Sequence, residues 1–214
     1  MEIYNSEQEQ VEALKAWWDK NGRSALAALA VFLLSVLGWQ GWNDHRNQVA
    51  EAASSNYQQM VELMGEDSAK AMEAGRALIA SYPDSIYAAM ASLAMAKLAA
   101  EQQDLDGAAA HLSAALQRSE QPELTALARL RLARVEMAQG KLDAALATLG
   151  AADSAASNEL RGDILLAQGK SDEARAAYAK ALDGYADAID KRELVQMKLD
   201  DLAVAKSEAE SPAE

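Results

Sequence analysis

Apolar positions recur every three to four residues over most of the 214-residue chain, and this amphipathic rhythm breaks at one place. Residues 24–42, SALAALAVFLLSVLGWQGW, form 19 consecutive uncharged positions. A helix of that length measures about 28 Å, the thickness of a bilayer's hydrocarbon core, so the run predicts a transmembrane helix. Trp39 and Trp42 sit at its far end, and Trp17 and Trp18 lie just before its near end. All four tryptophans thus fall where amphipathic rings occupy the membrane–water interfaces. A cleaved signal peptide would need a shorter run followed at once by a small-x-small site, whereas this one ends in Trp-Gln-Gly-Trp after a 23-residue tail. A core helix of a soluble domain would be amphipathic or shorter.

Lys15, Lys20 and Arg23 precede the run, and Arg46 is the only basic residue after it before Lys70. Counting Lys and Arg places the N-terminus in the cytoplasm. The expected organisation is a cytoplasmic tail over 1–23, a span over 24–42, an outer domain over 43–205 that is periplasmic in a Gram-negative cell, and a disordered tail over 206–214. In the first tail, Ser6 and Glu9 match a capping box, and Val11, Leu14, Trp17 and Trp18 follow at helical spacing until Asn21-Gly22. This predicts a short amphipathic helix that either lies on the membrane surface or serves as a docking handle. Within the span, Ala25, Ala28, Gly38 and Gly41 offer small surfaces of the kind that lets another helix approach in lipid, although Ala is abundant throughout.

The outer domain repeats itself. MAKLAAEQQDLDGAAAHLSAAL (95–116), LARVEMAQGKLDAALATL (132–149) and RGDILLAQGKSDEARAAYAKAL (161–182) align on an Ala that opens a second helix. Each reads as helix, tight turn, helix. The lines resemble tetratricopeptide repeats. A small residue occupies the first helix (Ala96, Ala133, Gly162), and a turn residue follows (Gln103, Gly140, Gly169). Ala then stands early in the second helix (Ala108, Ala145, Ala174), with a large residue four positions on (Leu112, Leu149, Tyr178). The small residue permits close helix approach, Gly supplies the left-handed turn, and residues four apart form one buried stripe. Turn-to-turn spacings of 37 and 29 residues depart from the usual 34, which locates irregularity between repeats, with 153–158 the expected place. Upstream, helices are predicted over 47–64, contiguous with the span, and over 69–81, ended by Tyr82-Pro83, with Asp84 or Ser85 capping the next. Pro122 opens a helix over 122–139, and a last helix over 191–205 covers the open end of the stack.

Composition agrees with an all-α fold: about a quarter Ala, only 11 Gly and 3 Pro. Zero Cys and two His, at 45 and 111, remove thiolate chemistry and leave almost nothing for imidazole catalysis or a metal site. A net charge of -13 repels phosphate backbones, so nucleic acid is not an expected partner. No Gly-rich phosphate loop or nucleophile motif is present, and no cofactor or catalytic activity is expected. His111 reads as a packed or surface residue, His45 as a headgroup contact, and Met90, Met95 and Met137 as packing residues or the lining of an adaptable groove.

Tail, span and repeats together resemble one family, the ancillary subunit of the SecYEG translocon (YfgM type). The opening MEIYNSEQEQVEALKAWWDKNG, the repeat segments LRLARVEMAQGKLDAAL and ELRGDILLAQGK, and the late VQMKLDDL carry the resemblance, which spans residues 1–204. It implies a non-enzymatic inner-membrane protein associated with SecYEG and with the chaperone PpiD, helping to pass newly exported polypeptides to periplasmic chaperones. The alternative is a tethered scaffold for envelope assembly or division, with no link to export.

In a repeat of this architecture, residues three before, one after and four after the small position line the concave face. That selects Leu93, Lys97 and Ala100, then Leu130, Arg134 and Met137, and in the third repeat Glu159 and Asp163. Lys97 and Arg134 are local exceptions in an outer domain of about -11. They either meet a partner's carboxylate or backbone carbonyls, or pair with neighbouring acids such as Glu101 or Glu136. Glu159 and Asp163 would reverse the groove's charge along its length and orient a bound segment.

Overall fold

A computed structural model describes residues 7–210, with side chains over 9–203, and these residues form an all-helical chain. The order is α1 (Glu7–Glu66), α2 (Ser68–Ser81), α3 (Ile86–Glu101), α4 (Leu105–Arg118), α5 (Pro122–Ala138), α6 (Leu142–Leu149), α7 (Ala155–Ala167), α8 (Ser171–Gly184) and α9 (Ile189–Glu210). The chain divides into two compact units between Ala52 and Ala53, inside α1.

In the first unit, α1 carries a stretch long and apolar enough to cross a membrane, none of whose most apolar window is buried. A core helix would bury it. Ser35, the hydroxyl in mid-run, donates to the Val31 carbonyl at 2.8 Å, which satisfies it without water. The separate tail helix expected to end at Asn21-Gly22 is not seen, because α1 passes through both residues. Asn21 Nδ2 donates back to the Trp17 carbonyl at 3.1 Å, and Gly22 lies under the Trp18 indole. One helical Gly costs about 1 kcal/mol and does not end a helix unless the backbone turns left-handed there. Ser6 of the capping box lies outside the described residues.

The second unit is a stack of helix pairs. The end of α1 pairs with α2, α3 with α4, α5 with α6 and α7 with α8, and α9 closes the series. Its core runs as overlapping clusters passed from pair to pair: Met60, Leu78 and Met95; then Leu93, Leu112 and Leu132; then Leu149, Leu160 and Ile164; then Tyr178, Val195 and Leu202. Nearest-neighbour burial of this kind is how solenoids hold together. Every small, early-Ala and large position read from the repeats is buried.

At the three turns, Gln103, Gly140 and Gly169 take left-handed φ values of 63°, 74° and 78°. The next residue's N–H then donates to the carbonyl five back (Asp104 to Ala99, Lys141 to Glu136, Lys170 to Leu165), each at 2.9 Å. Gln103 adopts a conformation that costs a residue with a Cβ about 1 kcal/mol. Gln139 and Gln168, at equivalent helix ends, each donate to an Asp of the preceding repeat (Asp106 and Asp143) at 2.9 Å.

Departures from regularity have local causes. The 29-residue step is met by shortening α6 to 8 residues and α7 to 13, against 14 for α4 and 17 for α5. Irregular backbone lies at 150–154 rather than 153–158, since Ser154 caps α7 and residues 155–158 are already helical. Arg161 holds the connection, donating to the carbonyls of Gly150 (2.7 Å) and Ala152 (3.1 Å). Gly162 stands where Ala96 and Ala133 do, because the ring of Tyr178 fills the space a Cβ would need. In the first pair the sizes invert: Gly75 stands four after buried Ala71, and Met60 and Met95 fill the gap. Ser85 caps α3 and Pro122 opens α5 as expected. At the C-terminus α9 continues through residues 206–210, expected to be disordered, and 211–214 lie outside the described residues.

Candidate functional site: the inner face of the repeat stack

The first helices of successive pairs place their solvent-facing residues side by side, and two cavities open between them. The first, of about 350 Å³, is walled by Tyr57, Val61 and Met64 of α1, by Met90, Leu93 and Lys97 of α3, and by Leu124, Leu127 and Arg131 of α5. The second, of about 410 Å³, lies where the short α6 leaves α5 uncovered, between Leu127, Arg129 and Leu130 and the connection from Ala152 to Ser157. Leu127 borders both.

The residues expected to line one groove therefore separate. Leu93 and Lys97 meet in the first cavity, although Leu93 is largely a core residue at 6% exposure. Leu130 borders the second cavity. Ala100 is half-buried, Met137 packs against the core of α5 to α7, and Arg134 is exposed and lines neither cavity. Lys97 pairs with Glu101 at 3.6 Å, both side chains being more than half exposed, so the pair contributes little. Arg134 makes no ion pair with Glu136. The α1 wall escapes sequence reasoning because it lies outside the aligned repeats, although Tyr57, Val61 and Met64 recur at the i, i+4, i+7 spacing of one helix face.

Glu159 and Asp163 have a different fate. Lys198 of α9 reaches both, with Nζ at 2.9 Å from Glu159 Oε1 and at 2.8 and 3.1 Å from the Asp163 oxygens. Tyr178 donates to Asp163 at 2.7 Å and Tyr185 to Glu159 at 2.9 Å, while the ammonium lies 5.6 Å from the Tyr178 ring centre. These carboxylates do not face an open groove: each is largely buried and already held by the chain's own Lys198 and a tyrosine. Burial and then the bond to Glu159 push the Tyr185 phenol up to about 12, and burial with the bond to Asp163 pushes Tyr178 higher still. Burial opposes the charge on Lys198, yet the bonds to Asp163 and Glu159 outweigh it and raise its pKa.

In the first unit, Trp17 and Trp18 are exposed with ring centres 6.4 Å apart, and Trp39 and Trp42 are exposed, Arg46 lying 5.4 Å from the Trp42 ring. A Cβ added at Gly38 or Gly41 would meet nothing within 4 Å, so the helix surface is open there. His45 is exposed; His111 is half-buried on α4, its pKa lowered by burial and by Arg76.

Residues 15–204 match a family model described as a tetratricopeptide repeat-like domain. Curated relatives named ancillary SecYEG translocon subunit include those of Escherichia coli (34% identical over 95% of this chain and 100% of the relative) and Aggregatibacter actinomycetemcomitans (32%, 92% and 97%). A third, from Neisseria gonorrhoeae, is 35% identical over 94% of this chain and 100% of its own. Among solved structures, a thermophilic TPR protein from Thermus thermophilus is similar over 71% of this chain and 81% of its own, at 21% identity and a TM-score of 0.49. The chain belongs to the tetratricopeptide repeat-like family of ancillary SecYEG translocon subunits.

Proposed function

We propose that the chain is a non-catalytic, membrane-tethered scaffold at the export channel. Residues 24–42 cross the inner membrane with the N-terminus in the cytoplasm, and residues 43–205 stand in the periplasm. There the repeat domain associates with SecYEG and with the chaperone PpiD, and helps newly exported polypeptides pass to periplasmic folding factors. One observation carries this reading: the likeness to the translocon subunits runs through tail, apolar run and repeats as a single unit, with nearly the whole of each relative covered. Lys and Arg placement supports the orientation, and the unburied run supports the span.

Mild solubilisation of native membranes tests the partners. The chain is expected to co-migrate with SecYEG and PpiD; recovery only as a free protein at normal abundance, or in company with division or cell-wall proteins, overturns the reading. A reporter active only outside the cytoplasm, fused after residue 60, is expected to give signal, and silence reverses the orientation.

A further inference from the structure

The inner face of the repeats is two surfaces of opposite sign, one open and one already occupied. We infer that the open one, walled by α1, α3 and α5, seats an apolar polypeptide segment that carries a carboxylate. The inference rests on the scaffold reading and names the chemistry of its guest.

Four observations converge. The cavity's walls are apolar and adaptable, with Met64 and Met90 among them, and both charged residues that line it, Lys97 and Arg131, are cations, in a chain of net charge -13. Neither cation is strongly held among the described residues: Lys97 has only its exposed pair with Glu101, and Arg131 makes no ion pair. The Tyr57 hydroxyl makes no hydrogen bond among the described residues, and burial raises its pKa, so it stands as a neutral donor on the same wall. Val61 and Leu127 remain 44% and 38% exposed across the opening, apolar surface left without a partner.

A further observation, from the other end of the stack, says what kind of guest fits. Glu159 and Asp163 occupy the repeat positions equivalent to Leu93 and Lys97, and there the face already holds a helix, α9, through the complementary charge of Lys198. The same face with its sign reversed calls for a segment whose charge is reversed. A carboxylate between Lys97, Arg131 and Tyr57 gains charge-assisted hydrogen bonds, while a basic segment meets Arg131, which has no ion pair, and Lys97, whose one ion-pair partner is the exposed Glu101.

The test uses the full chain in nanodiscs and fluorescein-labelled 16-residue peptides of Leu and Ala with one central Asp, Asn or Lys, read by fluorescence anisotropy at low salt. The Asp peptide is expected to bind about tenfold more tightly than the Lys peptide. Lys97→Glu with Arg131→Glu is expected to reverse that order, and Lys97→Gln with Arg131→Gln to abolish it. Arg134→Glu, a change at another exposed cation of α5 that lines neither cavity, is expected to leave it intact. An unchanged order in both double variants, or a reversal by Arg134→Glu as large as theirs, overturns the assignment. Co-isolation with SecYEG is scored separately on the parent chain. A chain that meets the channel but shows no Asp preference refutes the seat alone; one that shows the preference without meeting the channel supports the seat and refutes its placement at export.

Discussion

The second and third repeats use the same scaffold positions for opposite ends. In the second, Ala133 and Leu149 pack the two helices together, and Arg134 projects into solvent. In the third, Gly162 replaces the Ala and Tyr178 the Leu, so the volume lost on one helix is regained on the other, and the residue after the small position is Asp163. The larger residue also brings a hydroxyl, and that hydroxyl anchors the carboxylate that receives Lys198. A size exchange in the core and a charge exchange on the face are thus one change, and together they make the third repeat a receptor for α9. The lesson is that repeat periodicity specifies packing, while the use of the exposed face depends on what packs next in the chain.

Breaking the receptor should produce the largest effect. Lys198→Ala leaves Glu159 and Asp163 with side chains 16% and 28% exposed and no cation. The expected loss is about 3 kcal/mol of unfolding free energy, read from urea melts of the full chain in detergent. Equal stability would show that α9 is held by Val195 and Leu202 alone.

The size exchange is tested next. Gly162→Ala drives a methyl into the Tyr178 ring and is expected to cost about 2 kcal/mol. Combined with Tyr178→Leu, which restores the Ala and Leu pair of the other two repeats, it should cost at least about 1 kcal/mol less than it does alone. Simple additivity of the two substitutions would mean that the pair is not coupled.

The smallest expected effect is the alkaline pH dependence that this cluster contributes. Lys198, Tyr185 and Tyr178 all have folded-state pKa values raised above their ordinary 10.0 to 10.5. Between that range and the folded-state values the unfolded chain releases protons that the native one retains, so stability is fully present below pH 10 and falls as pH rises through about 12. Tyr185→Phe removes one of the three groups and should flatten this fall, measured as the urea midpoint at pH 8 against pH 11. A variant with the same slope as the parent would place the alkaline transition elsewhere.

Much of this molecule is legible along the chain because the forces concerned are local. The 19-residue apolar run, the left-handed turns at Gly140 and Gly169, the cap at Ser85 and the buried Ala stripe each follow from residues a turn or two apart. Gln103 reaches its turn through alignment with the two glycines rather than through propensity. Expectation and structure part where a local signal is overridden. Asn21-Gly22 carries the composition of a stop, yet the helix continues because no left-handed residue and no capping bond form there.

Sequence alone thus determined the all-helical class, the span-length run, the repeat unit and the burial of its small, early-Ala and large positions, since helix periodicity and turn chemistry depend on near neighbours. Only the tertiary structure decided which exposed positions remain open. Lys97 and Asp163 hold equivalent places, but Lys198 lies 35 residues beyond Asp163, and Tyr57 lies in a helix outside the repeat alignment. Contacts across such separations are set by how helices stack, and no periodicity encodes them. That stacking closes the acidic end of the face with the chain's own ammonium and leaves the basic end open for a guest.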